Sequence, residues 1–154
     1  MTGAQPVTGV TGAQRGAAGV AAERIRVVIA EAGAGDQDRS VELVARALRD
    51  AGMEVVYTGR QQTPEQLVET VVQEDADAVG LSVGPGARPV VFARLVALLR
   101  ARQADDVLVF ASGAVPAADL PELERLGVAR VFAPASGTEE IVGWLRRQLG
   151  PPAG

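Results

Sequence analysis

Short, continuous apolar runs alternate along the chain with longer segments whose apolar residues recur every three or four positions. The first pattern predicts buried strands and the second predicts amphipathic helices. The predicted strands cover residues 25–30, 53–57, 78–82, 107–111 and 128–132. The predicted helices cover residues 38–51, 64–74, 89–102, 117–126 and 138–149.

The residues that flank three of the predicted helices are of types that commonly begin or end a helix. Thr63, Pro64 and Gln66 predict an N-cap, a proline at the first helical position and the partner residue of a capping box. Gly52 stands where a left-handed residue would end the first helix. Thr138 is predicted to cap the last helix. These signals fix the helix boundaries more closely than apolar spacing alone.

The strict alternation of strands and helices predicts an α/β fold whose parallel sheet is covered by helices on both faces. Because crossover connections are right-handed, few topologies remain. We expect a flavodoxin-like (Rossmann-like) five-stranded parallel sheet in the order 2-1-3-4-5. Ligands bind such sheets at the carboxyl ends of the strands, near the switch point between the first and third strands. This places the Gly-rich turn at residues 31–40 beside the loop at residues 82–88.

The length of 154 residues suits one domain, which we expect at residues 24–149, followed by a short tail at residues 150–154. Residues 1–23 form an imperfect repeat of small residues. Such a segment buries too little apolar area to offset the entropy of ordering, so a disordered low-complexity tail is predicted. A docking peptide for a protein partner is the alternative interpretation of the repeat.

The composition narrows the chemistry, because the chain contains no His, Cys or Lys. This excludes a Ser–His nucleophile, a zinc–thiolate site and a Schiff base, and leaves Asp, Glu and Tyr57 for acid–base work. The net charge of -4 argues against a nucleic-acid partner, and no apolar run is long enough for a membrane span. The lack of Cys and of a recognisable signal peptide favours a cytoplasmic protein.

Three ligand classes common in this fold fit the residues poorly. A dinucleotide site needs a third glycine, but the turn has Asp38 where Gly33 and Gly35 would require it. A phosphoacceptor receiver domain needs an acceptor Asp after the third strand, where Ser82 stands, and a Lys after the fifth. Asp36 and Asp38 could hold a divalent cation, although we favour their interaction with the dipole of the following helix.

Seven runs within residues 24–149 resemble the cobalamin-binding domain of methylmalonyl-CoA mutase and related acyl-CoA mutases, which is a C-terminal domain or a small subunit in that family. The runs are residues 45–55, 57–59, 62–66, 74–82, 105–110, 126–128 and 138–141. The resemblance implies the flavodoxin-like fold, cobalamin as a cofactor, and a mutase large subunit or related chain as a partner. It also implies that radical catalysis belongs to the cofactor and the partner, so that the chain is an isomerase subunit with no catalytic residue of its own.

The resemblance also shows where the family's cobalt-ligating motif, Asp-x-His-x-x-Gly, would lie. The three motif positions are occupied by Gly35, Gln37 and Ser40, and Asp36 is one residue out of register with the family's Asp. In the family the Asp orients the His that coordinates cobalt after the cofactor's own base is displaced. A Gln amide is a poor cobalt ligand, so we expect no metal ligand here and corrinoid binding that is weak, base-on or lost.

The family's other motifs lie after the third, fourth and fifth strands. Ser-x-Leu becomes Ser82 and Gly84, the glycine pair becomes Ser112 and Gly113, and the last motif ends at Ser136. The expected cofactor-binding residues are therefore Gly35, Asp36, Gln37, Ser40, Ser82, Gly84, Ser112, Gly113 and Ser136. The alternative is a non-catalytic relative that acts as a protein-interaction or regulatory subunit, or that binds another small ligand.

Overall fold

The computed structural model describes residues 24–32, 39–59, 63–83, 89–133 and 136–150. The strands are β1 (Arg26–Ala32), β2 (Glu54–Tyr57), β3 (Ala78–Val83), β4 (Leu108–Gly113) and β5 (Arg130–Phe132). The helices are α1 (Arg39–Asp50), α2 (Pro64–Glu74), α3 (Pro89–Ala101), α4 (Leu120–Leu126) and α5 (Thr138–Leu149), with a 3-10 turn at Ala117–Asp119. The predicted tail at residues 1–23 lies outside the described residues, as does all but Gly150 of the predicted tail at residues 150–154.

The five strands form one parallel sheet in the order β2-β1-β3-β4-β5, which confirms the predicted topology. The central strands are buried on both sides, as expected of a parallel sheet between two layers of helices. Since successive side chains of a strand point to opposite faces, each strand contributes alternate residues to two separate cores.

One core lies on the sheet face that α2, α3 and α4 cover, which we call the α2–α3 face. Its fully buried residues are mostly aliphatic and belong to strands as well as helices. They include Val28, Ala30, Val79, Leu81, Val109, Ala111, Leu67, Val71, Phe92, Leu95 and Leu99. The apolar spacing of α2 and α3 at helical intervals is therefore explained by burial on this face.

The other core lies on the face that α1 and α5 cover, which we call the α1–α5 face. Here three aromatic rings fill the space between the sheet and α5: Phe110, Phe132 and Trp144. The remaining buried residues of this core are aliphatic: Val27, Ile29, Val41, Val44, Leu48, Met53, Ala78, Ile141 and Leu145.

Two of the predicted helix boundaries are confirmed by hydrogen bonds and backbone angles. The Gln66 amide donates to Thr63 Oγ1 at 3.0 Å, and the Thr63 amide donates to Gln66 Oε1 at 2.8 Å, which completes the capping box of α2. Gly52 follows α1 with a φ of 94°, a left-handed conformation that glycine adopts readily.

The prediction that Thr138 caps the last helix is wrong. The N-cap is Gly137, whose extended backbone (φ -75°, ψ 159°) is the conformation that an N-cap residue needs, and no side chain caps the helix there. Thr138 is already helical, so its hydroxyl cannot accept from the amides that an N-cap residue would satisfy.

All five strands differ from their predicted bounds, β2 and β3 by one residue at one end and β1, β4 and β5 by more. β1 and β4 each continue two residues further than predicted, because Glu31 and Ala32 of β1, and Ser112 and Gly113 of β4, pair with Ser82 and Val83 of β3. These polar or small residues do not have the apolar pattern that predicts a buried strand. β5 begins at Arg130, later than predicted, because the Val128 amide donates to Leu123 O at 3.0 Å and completes the end of α4.

Candidate functional site

Two of the predicted site residues are neighbours at the carboxyl edge of the sheet. Ser82 of β3 pairs in register with Glu31 of β1 on one side and with Ser112 of β4 on the other. Register partners in a parallel sheet point to the same face, and Phe110, two residues before Ser112, is buried on the α1–α5 face. Glu31, Ser82 and Ser112 therefore form a half-buried polar row on that face, which we call the serine row.

The place of the serine row in the topology is the one predicted for a ligand. β1 and β3 are adjacent in the sheet, while the chain leaves β1 for α1 and β2 before it returns as β3. This is the switch point of the strand order, where connections diverge and leave a crevice outside the carboxyl ends of the strands. The described part of the rim thus offers two hydroxyls and one carboxylate for hydrogen bonds to a ligand.

Gly113 lies beside the serine row, but the protein itself requires a glycine there. Its φ is 130°, and a Cβ at this position would lie 2.4 Å from Val83 O. Val83 is its register partner in β3, so the pairing of β3 with β4 has no room for a side chain. The sequence predicts Gly113 to be a cofactor-binding residue, whereas the structure provides a reason for the glycine within the fold.

The other predicted site residues are placed less completely. Ser136 lies after β5 at the same edge of the sheet, where its amide donates to Ala133 O at 2.9 Å. Ser40 lies in the first turn of α1. The remaining predicted positions, Gly35, Asp36, Gln37 and Gly84, lie outside the described residues.

A hydrogen bond between Glu31 and Tyr57 extends the serine row toward β2, and sequence reasoning missed it. The Tyr57 hydroxyl donates to Glu31 Oε2 at 2.7 Å. The contact depends on the register of β1 with β2, in which Tyr57 pairs with Ile29, two residues before Glu31. Each of these two residues stands at the end of an apolar strand, which is visible in the sequence. The register between β1 and β2, which brings Glu31 and Tyr57 together, cannot be predicted from the sequence.

The floor of the rim on this face is aromatic. One register row below the serines, Phe110 pairs with Gly80, and a Cβ on Gly80 would lie 2.3 Å from Phe110 Cζ. The ring of Phe110 packs edge-to-face against Phe132 and Trp144, at centroid distances of 6.1 and 5.8 Å. Phe132 and Trp144 are themselves 5.6 Å apart, so the three rings form one closed group, which we call the aromatic cluster.

The described residues contain no group of three or more His, Cys, Asp or Glu side chains that could hold a metal ion. Within the same residues no helix is long and apolar enough to cross a membrane. The described part of the rim presents polar side chains above the aromatic cluster, which can form hydrogen bonds to a ligand.

Three comparisons with known proteins agree with this geometry. A family model described as the B12 binding domain matches residues 25–142. The small subunit of 2-hydroxyisobutanoyl-CoA mutase from Aquincola tertiaricarbonis is 42% identical over 122 residues, which are 79% of this chain and 90% of that subunit. The small subunit of pivalyl-CoA mutase from Xanthobacter autotrophicus is 38% identical over 118 residues, 77% of this chain and 79% of that subunit.

A solved structure supports the fold. The crystal structure of a cobalamin-binding protein from Desulfitobacterium hafniense superposes with a TM-score of 0.65 at 22% identity, over 83% of this chain and 60% of that one. The similarity extends over the strands and helices described above, so the topology recurs in a protein of low sequence identity.

Proposed function

Since the chain belongs to the B12-binding domain family, we propose that it is the cobalamin-binding small subunit of a two-chain acyl-CoA mutase. The observation that carries this proposal is the extent of the match to subunits of that kind. The chain covers 90% of one mutase small subunit and 79% of another, so it corresponds to nearly the whole of such a subunit. The unit that binds the cofactor is residues 24–149, and we expect it to act in the cytoplasm.

The corrinoid would lie on the rim at the switch point of the sheet. Ser82 and Ser112 provide hydroxyls that can donate to or accept from the amide side chains of a corrin ring, and Gly113 adds no side chain beside them. The other residues that we expect to contact the corrinoid are Gly35, Asp36, Gln37, Ser40, Gly84 and Ser136. Cobalamin, when bound, supplies radical chemistry that amino-acid side chains cannot. The acyl-CoA site and the catalytic residues belong to the large subunit.

The cobalt receives no ligand from this chain. Gln37 stands where a family member has its cobalt-ligating His, and the sequence contains no His at all. An amide is a much weaker ligand than imidazole for a transition metal, so a bound corrinoid would retain its own base and would be held less tightly than by a chain with a His at this position.

Titration of the purified chain with adenosylcobalamin and hydroxocobalamin, followed by absorbance, tests the proposal. We expect binding with a base-on spectrum, and no binding at tens of micromolar would contradict the proposal. Ser82→Ala should weaken binding, because it removes one hydroxyl from the rim and adds no new atom. The control is Thr70→Val in α2, which removes an exposed hydroxyl that donates to Gln66 O at 3.1 Å and takes no part in the serine row.

A second candidate is a non-catalytic relative that regulates a partner or binds another small ligand. It is favoured by the loss of all three family residues at Gly35, Gln37 and Ser40. Co-expression with an acyl-CoA mutase large subunit separates the two candidates. A cobalamin-dependent complex that isomerises an acyl-CoA supports the first, and a complex that forms without any corrinoid supports the second.

A further inference from the structure

The depth of the rim is set by Phe110. Gly80 leaves an open position on β3 directly below Ser82, and such a position in a ligand-binding sheet normally leaves room for a ligand. Here the room is taken by the protein's own side chain, since the ring atoms Cζ, Cε2 and Cε1 of Phe110 lie 2.3, 2.5 and 2.9 Å from where a Gly80 Cβ would be.

Two other aromatic rings also hold the ring of Phe110 in place. Phe132 and Trp144 both pack against it edge-to-face, and Phe110 and Phe132 are only 1% and 2% exposed. A ring that is enclosed by a strand on one side and by two other rings cannot swing aside without opening a cavity in the core. The space between the sheet and α5 is therefore filled up to the level of the serine row.

The α2–α3 face of the sheet also leaves no space for a ligand group beside β3 and β4. At the corresponding level of the α2–α3 face, Leu81 of β3 is 1% exposed and Ala111 of β4 is fully buried. Both belong to the core that α2, α3 and α4 cover. Beside β3 and β4, then, a ligand can lie on the rim but cannot insert a ring-sized group below it.

From this geometry, and resting on the proposed function, we propose that the aromatic cluster keeps the nucleotide tail of the corrinoid outside the core between the sheet and α5. The tail carries an aromatic base of about the size of the rings already there, so both cannot occupy that space. The chain then gains little affinity from the tail, and Phe110 determines which corrinoids it prefers.

The comparison of adenosylcobalamin with adenosylcobinamide tests this proposal, because the two share the upper ligand and differ in the nucleotide tail. We expect the wild-type chain to bind them with dissociation constants that differ by less than about tenfold, and bound adenosylcobalamin to keep its base-on spectrum. Tighter binding of adenosylcobinamide would support the proposal equally. A preference for adenosylcobalamin above about tenfold, or a base-off spectrum, overturns it, because burial of an aromatic base is worth at least that factor.

Phe110→Ala should create the missing space and reverse the result. We expect its preference for adenosylcobalamin over adenosylcobinamide to rise by about tenfold or more, with a base-off component in the spectrum. The matched control is Phe92→Ala, which deletes an equally buried ring on the α2–α3 face and should leave the preference unchanged. A folded Phe110→Ala variant without the gain contradicts the proposal.

Two features keep the test decisive. If circular dichroism shows that Phe110→Ala does not fold, Phe110→Leu can be used instead, because it makes a smaller space. The affinities of the wild-type chain for the two corrinoids test the proposal in either case. If the wild-type chain binds neither corrinoid, the proposed function fails and this proposal fails with it. Base-off binding of adenosylcobalamin overturns this proposal and the expected base-on state, but leaves the proposed role as a cobalamin-binding subunit standing.

Discussion

The two faces of the sheet are built from alternate residues of the same strands, yet they are packed by different means. On the α2–α3 face, aliphatic side chains from strands and helices interdigitate, and ion pairs join the exposed edges of α2 and α3. On the α1–α5 face, three aromatic rings pack edge-to-face, and one of them, the ring of Phe110, lies over Gly80. The helices of that face are joined instead by a hydrogen bond from Arg146 Nη2 to Ala51 O, 2.9 Å long.

This difference decides where the protein tolerates change. Aliphatic cores can repack after substitutions that conserve volume, because several small groups share the adjustment. A ring seated on a glycine has a single position, and its neighbours depend on it. The less adaptable face is also the one that carries the serine row, so the geometry of the rim depends on the more rigid of the two cores.

Gly80→Ala should be the strongest way to break the difference between the faces. The new Cβ would lie 2.3 Å from Phe110 Cζ, so the enclosed ring must move, and we expect a loss of about 1–3 kcal/mol in the free energy of unfolding. Urea denaturation measures it. The control is Gly143→Ala in α5 on the same face, where the nearest atom would be the flexible end of Arg147 at 3.2 Å.

That control should have the opposite sign. Alanine is a better helix former than glycine, so Gly143→Ala should raise the free energy of unfolding by about 0.5–1 kcal/mol. If both variants are equally neutral, the ring is not held on Gly80 and the α1–α5 face is more adaptable than its packing indicates.

The fold could be predicted because its determinants are local. Continuous apolar runs, helical spacing and the capping residues around Thr63 identify the elements, and the handedness of crossovers then limits the strand order. The contacts at the rim could not be predicted, because they depend on register between strands that are distant in sequence. Gly80 opposite Phe110, and the bond from Tyr57 to Glu31, appear only when the strands are aligned.

Gly113 and Thr138 show two further limits of sequence reasoning. A glycine at a ligand rim has the same appearance in the sequence whether a ligand or a neighbouring strand needs the space, and here Val83 O occupies it. A helix start can shift by one residue because Gly137 and Thr138 are both acceptable N-caps, and only the backbone angles distinguish them.

Helix capping sharpens the comparison at an intermediate level. Thr63→Ala removes the hydroxyl that accepts from the Gln66 amide at the start of α2, and should cost about 1 kcal/mol in the free energy of unfolding. On the other face, α5 begins at Gly137 without a side-chain cap, so Gly137→Ser should stabilise by a few tenths of a kcal/mol, about the usual difference between these residues at an N-cap. Thermal unfolding of both variants measures these changes, with Thr63→Ser as the conservative control. Equal changes in stability for Thr63→Ala and Gly137→Ser would contradict the prediction.

The smallest effect concerns pH and should appear on the α2–α3 face. The side-chain hydrogen bonds that Arg94 donates to Glu65, 2.9 Å from Nε and 2.5 Å from Nη2, lower the pKa of that carboxyl below 4.5. A carboxyl whose pKa is lowered by folding adds stability above its unfolded pKa, and that stability is lost as the pH falls through the folded pKa. The pair is exposed, so the effect is small and should weaken in high salt.

We expect wild type to be more stable than Glu65→Gln near neutral pH, and we expect the difference to vanish in acid. Urea unfolding at both pH values and an NMR titration of Glu65 measure this. The bond from Arg146 is accepted by the backbone carbonyl of Ala51 rather than by a carboxylate, so Arg146→Gln should change stability equally at both pH values. An unshifted Glu65, or a pH-dependent effect of Arg146→Gln, would mean that ion pairing does not distinguish the two faces.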